Sequence, residues 1–276
     1  MPISPGLHHL TAITADGQKC FDFYSGLLGL RLVKRTVNFD DPRSYHFYFG
    51  DDRGSPGSIV TFFVIPGLVR GRIGSPMIDG ISLSLPEPKL KAAIERLKKA
   101  GCPVDPLPDG AVYTFDPDGQ QITLFWAPPE QPGPRLAELP VLVRHAQTTR
   151  DFVGTWLGDS ALRMLDIDSH VERARNGAGT VHHLAFRVES EEAQLDLQQR
   201  LVAANVHVSP QMNRGYFHSI YFREPGGILL EVATDAPGFA TDEAPDALGR
   251  KLCLPENLEP HRREIEQALP KIDFGF

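Results

Sequence analysis

Two segments of the chain, LHHLTAIT at 7–14 and VHHLAFRV at 181–188, carry the same His-His-Leu tripeptide, and one glutamate, Glu231, interrupts the apolar run GGILLEVAT. Successive side chains of a strand point to opposite faces. In the later copy His182, Leu184, Phe186 and Val188 then share one face, while Val181, His183, Ala185 and Arg187 share the other. The first is the packing face, which leaves His183 to face a cavity. The earlier copy agrees: His8, Leu10 and Ala12 pack, and Leu7, His9, Thr11 and Ile13 line the other side. An ionised carboxylate is costly to bury alone, so Glu231 calls for a cation, hydrogen bonds or the wet side of a sheet, and an arginine would serve as well as a metal. Two imidazoles and a carboxylate from three strands match the facial triad that keeps coordination positions open on non-haem Fe(II); the same donors suit Mn, Zn or Ni.

The elements that must position these residues recur along the chain. Residues 6–14 read as a strand and 16–28 as a helix stopped by Gly29, followed by strands at 30–39, 44–50 and 58–65. A second unit repeats the order, with ISLSL at 81–85, a helix over 87–100, and strands near 102–107, 111–115 and 121–126. A fourth opens at VHHLAFRV, continues through a helix over 190–204 and closes with FHSIYF and ILLEVAT. The third unit, 139–178, is shortened: LPVLVRH and a helix around 148–157 are followed only by ALRMLDIDS and a polar stretch. Self-similarity at a period of about 50–65 residues means that each unit completes a neighbour's core.

The stretch 127–139, APPEQPGPRLAEL, has the composition of a linker. The expected organisation is therefore a domain over 5–128, a second over 139–235 with the shortened unit, and a tail over 236–276 bearing a helix within PENLEPHRREIEQAL, whose thin apolar face suits the surface or an interface. The expected fold class is α+β. Only the first and fourth units carry ligand-type residues, because Thr123 stands where the second unit would place its Glu231. This predicts one site built between the two halves.

With 28 basic and 35 acidic side chains, a net charge of −7 and no basic patch, the chain is not suited to nucleic acid. Three widely spaced cysteines, Cys20, Cys102 and Cys253, argue against a disulfide framework. No signal-peptide pattern or membrane-length apolar run is present, which predicts a cytoplasmic protein without membrane partners.

The segments GLHHLTAIT, FYSGLLGLRLVKRTVNFDDP, GSIVTFF, GRIGSP, VHHLAFRV and NRGYFHSIYFREPGGILLEVATD together resemble the vicinal oxygen chelate superfamily, and within it most resemble bacterial ring-cleaving dioxygenases of hydroquinones. The resemblance implies paired βαβββ modules forming two cup-like mixed-sheet domains. It also implies Fe(2+) held by His9, His183 and Glu231, with Mn(2+) admitted by the same donors. Its partners would be a small aromatic substrate and O2, and it allows a homo-oligomer.

Supporting catalytic roles are implied for His8, Thr11, His182, Arg214 and Tyr221. Alternation places His8 and His182 on the packing face instead, a conflict that a β-bulge or a rim position would resolve. Tyr45, Phe47, Phe62, Phe63, Phe186 and Phe217 are the aromatic candidates for the substrate ring. The rivals are a glyoxalase I-like lyase or isomerase, for which no extra carboxylate base is found, and a metal-free binding protein of the bleomycin-resistance type, against which the triad weighs.

Overall fold

The computed structural model describes residues 6–158 and 162–276. The first unit comprises β1 (Leu7–Thr14), α1 (Gly17–Phe21), β2 (Arg31–Asn38), β3 (Asp41–Gly50) and β4 (Ile59–Val64). After β5 (Met77–Ile78), the second has β6 (Ile81–Leu85), α2 (Glu87–Lys99), β7 (Asp105–Pro106), β8 (Val112–Phe115) and β9 (Gln121–Trp126). The expected linker contains β10 (Arg135–Leu136), which adds to the edge of the second unit's sheet beside β6.

The third unit shows β11 (Leu139–Val143), α3 (Ala146–Trp156) and β12 (Leu162–Asp166) among the described residues. Ala161, with which its second strand was expected to begin, lies outside them. The fourth has β13 (Thr180–Val188), α4 (Glu191–Ala203), β14 (Met212–Asn213), β15 (Phe217–Arg223) and β16 (Leu229–Pro237), and α5 (Arg262–Ala268) lies in the tail.

The architecture is α+β, with mixed sheets. An eight-stranded sheet runs β14-β15-β16-β13-β1-β4-β3-β2, so the first and fourth units share one continuous ladder. Its seam is the antiparallel pair β1–β13, formed by the two His-His-Leu segments. The second unit forms a five-stranded sheet with β10, while β11 stands between β12 and β5 in a third.

The helices start and stop where local chemistry requires. Ser190 caps α4 by accepting from the Ala193 amide, with Glu191 and Glu192 in its first turn. Two expected helices differ from a plain α-helix. After Phe21 the chain widens into a π turn over 22–27, which lets the adjacent Phe23 and Tyr24 both face the core. In the tail, Pro260 has no amide hydrogen to donate, and the helix divides into a 3-10 turn over 256–261 and α5. Its apolar face is anchored as well as thin: Ile265 and Leu269 pack with Val37, Leu252 and Leu254.

Alternation gives the eight-stranded sheet two unlike faces. Leu10, Ala12, Phe47, Val60, Phe62, Leu184, Phe186, Leu230 and Val232 belong to the apolar core that also takes in residues of α2 and α4. The opposite face carries His9, Thr11, His46, Tyr48, Thr61, His183 and Glu231. Among the described residues, no helix is long and apolar enough to cross a membrane.

Candidate metal centre

Register brings the predicted ligands together. His9 on β1 is paired with Ala185 on β13, and Ala185 in turn with Glu231 on β16, while His183 stands opposite Thr11. One ligand atom from each of His9, His183 and Glu231 lies within 4.8 Å of the others, and all three residues are buried. The Glu231 Oε2 atom is 3.4 Å from His9 Nε2 and 2.8 Å from His183 Nε2.

His183 Nε2 and Glu231 Oε2 nevertheless make no hydrogen bond, although both are buried. Lone pairs facing one another in a buried site are the arrangement a shared cation would satisfy. Burial alone would raise the Glu231 pKa; the close approach of the His9 and His183 rings outweighs it and holds the carboxyl well below its usual range. Burial also lowers His183, so a neutral imidazole, the form that binds metals, is favoured. Ser219, which the sequence analysis missed, donates to Glu231 Oε1 and leaves Oε2 aimed at the two imidazoles.

The strand-alternation reading of His8 and His182 is corrected. The register of β1 against β13 shifts between Leu7 and His9 and again between Thr11 and Ala12. Each shift inserts one unpaired residue, His8 in β1 and His182 in β13. A bulge turns neighbouring side chains toward the same side. His182 consequently lines the cavity with His183, whereas His8 stands behind His9 and against Phe217, with ring centroids 5.0 Å apart.

Both flanking histidines touch their neighbours through Nδ1, at 2.9 Å for His8 to His9 and 2.7 Å for His182 to His183. Burial, reinforced by the adjacent ring, pushes both His8 and His182 down to about 3. They stay neutral and can accept the Nδ1 proton of the ligand-type histidine, whose Nε2 is then left bare.

The triad opens into a cavity of about 480 Å³. Thr11, Arg214 and Tyr221 line it. Arg214 Nε donates to the Tyr221 hydroxyl at 3.1 Å, and its guanidinium lies 5.2 Å from the Tyr221 ring centroid. Burial, and the Glu231 charge after it, raise the tyrosine pKa and keep the hydroxyl protonated.

Of the six aromatic candidates only Phe63 and Phe217 reach the cavity; Phe47, Phe62 and Phe186 are in the core on the opposite face, with Tyr45 packed against it. Phe39, His46 and Tyr48 line the cavity instead. For His46 and Tyr48 the signal was present in SYHFYFG, where alternation separates them from Tyr45, Phe47 and Phe49.

Comparison with known proteins places the chain in a family. The chain is 38% identical to MhqO of Bacillus subtilis (strain 168), assigned provisionally as a ring-cleaving dioxygenase, over 96% of this chain and 95% of that protein. It is 30% identical to a chlorohydroquinone/hydroquinone 1,2-dioxygenase of Sphingobium indicum, over 96% of this chain and 95% of the other. The crystal structure of a dioxygenase, likewise assigned provisionally, from Bacillus subtilis superposes with a TM-score of 0.89 at 36% identity and covers 99% of both chains. The profile of the Glyoxalase/Bleomycin resistance protein/Dioxygenase superfamily matches twice, over residues 6–124 and 108–232, and the chain belongs to that superfamily.

Proposed function

We propose that the protein is an Fe(II)-dependent dioxygenase that inserts O2 into, and opens, a hydroquinone-type ring. The observation that carries this reading is the convergence of His9 Nε2, His183 Nε2 and Glu231 Oε2 at one end of a cavity large enough for a small aromatic molecule. The names of the relatives support the reaction class.

When bound, the metal would act as a Lewis acid toward a phenol oxygen and pass electrons to O2. The residues around it have separable tasks. His8 and His182 set the tautomers of His9 and His183. Arg214, cationic at every relevant pH, steadies negative charge that develops on the substrate, and its contact holds the Tyr221 hydroxyl in place. Phe63 and Phe217 supply apolar walls for the ring.

The test is O2 uptake by anaerobically purified, Fe(II)-loaded protein with methylhydroquinone, chlorohydroquinone and catechol. Uptake with a hydroquinone is the expected result. No uptake, together with turnover of a hemithioacetal on Zn(II) or Ni(II), would overturn the reading in favour of a glyoxalase I-like lyase.

A further inference from the structure

Four side chains beyond the metal ligands form a connected polar line on the cavity wall. Tyr48 Oη lies 3.0 Å from His46 Nδ1, and His46 Nε2 lies 2.8 Å from Thr61 Oγ1. Thr61 Oγ1 is in turn 2.9 Å from Thr11 Oγ1. The sheet register builds the line: Thr11 on β1 is paired with Thr61 on β4, and Thr61 with Tyr48 on β3. His46 sits two residues from Tyr48 on the same face and closes the gap. At the usual strand spacing the line spans roughly 10 Å. Tyr48, His46 and Thr11 all line the cavity, and Thr11 is paired with His183.

Each member can both give and take a hydrogen bond, so the line has two complete arrangements. In one, Tyr48 donates to His46 Nδ1, His46 Nε2–H to Thr61, and Thr61 to Thr11, which leaves the Thr11 proton to point into the cavity. In the other, every donor and acceptor is reversed and the Tyr48 proton points into the cavity. The two differ in the tautomer of a neutral His46 and in the direction of the three hydroxyl hydrogens.

We propose that Tyr48, His46, Thr61 and Thr11 form a hydrogen-bond relay that delivers a proton to a substrate oxygen beside the metal ligands while taking one up from the same cavity at Tyr48, the other end of the line. The step balances. Thr11 gives its proton to the oxygen and receives one from Thr61; Thr61 is refilled from His46 Nε2, and His46 Nδ1 from Tyr48. Tyr48 takes a proton from a hydroxyl or water in the cavity; once product has left, water gives a proton to Thr11 and takes one from Tyr48, which resets the line with no net gain or loss of protons.

No residue carries a net charge before or after the transfer. Burial, foremost among the causes, holds the His46 pKa far below its ordinary value, as a neutral carrier requires. A ring bearing oxygens at both ends would use both mouths of the relay. In that respect the inference rests on the dioxygenase reading, although the relay itself does not.

Two measurements test it. In protein loaded with Zn(II), which is diamagnetic and passes no electrons to O2, 15N NMR of the His46 ring should show a neutral imidazole whose tautomer ratio shifts when methylhydroquinone is added. A protonated ring, or a ratio indifferent to the ligand, would overturn the relay whether or not the protein cleaves rings. In Fe(II)-loaded protein, Thr61→Val should lower kcat by at least about tenfold with little change in KM, and Thr61→Ser should restore it. Equal loss in both variants would assign Thr61 a packing role and overturn the proposal. Failure of wild-type protein to consume O2 would instead count against the dioxygenase reading and leave the NMR result to decide the relay.

Discussion

The Nδ1 atoms of His182 and His183 lie 2.7 Å apart, a separation at which one ring must donate and the other accept. The same relation holds between His8 and His9 on β1, the other strand of the β1–β13 seam. In each pair the unpaired residue of a bulge props the neighbour whose Nε2 faces Glu231.

Removing a prop should therefore weaken metal binding without dismantling the site. His182→Phe is expected to reduce metal affinity by roughly 10–100-fold, read by competition with a chromophoric chelator, while circular dichroism stays that of the wild type. Affinity equal to wild type would show that His183 needs no partner at Nδ1.

Glu231→Gln removes the anionic donor and leaves the volume unchanged. Metal retained after desalting should fall to background by elemental analysis. Intact metal content in this variant would take Glu231 out of the ligand set.

Alternation, turn chemistry and unit repetition made the metal-ligand face legible in the sequence: the assignment of His9 and His183 to one face and the Thr123 contrast required no coordinates. The bulges were not legible, because an inserted residue changes no composition. Period-two counting therefore put His8 and His182 on the wrong face. The sharing of one ladder by the first and fourth units was hidden as well, since which modules pair depends on contacts between distant segments. Within SYHFYFG aromatic type alone does not separate Tyr45 and Phe47 from Tyr48; only strand parity does, and it places His46 and Tyr48 on the cavity face.

Asp116 gives a pH dependence away from the metal centre. It is buried, accepts from the amides of Asp118 and Gln120 and from the Tyr24 hydroxyl, and burial raises its pKa to about 6. A carboxyl whose folded pKa lies above its unfolded value near 3.8 favours folding most below the unfolded value, and that contribution is lost as pH rises through the folded one. Asp116→Asn should therefore gain stability relative to wild type between pH 4 and pH 7, by up to about 3 kcal/mol in urea unfolding. Parallel stability curves for the two proteins would refute this.

Lys34 is fully buried between Asp242 and Glu243, to both of which its Nζ donates. Lys34→Met would leave the buried Glu243 carboxylate without its cation and should destabilise the fold by about 3–5 kcal/mol, measured by chemical denaturation. A loss below about 1 kcal/mol would mean that the amides of Gly249 and Lys251, which also donate to Glu243, suffice.

The seam between β1 and β13 also sets a timetable. His9 leaves the ribosome early in synthesis, but the strand that completes its surroundings and the one carrying Glu231 emerge only when the fourth unit has been made. No nascent chain short of that point can assemble the triad, so the three side chains come together only after the fourth unit has been made, and any ion they hold is excluded from the earlier half-made protein.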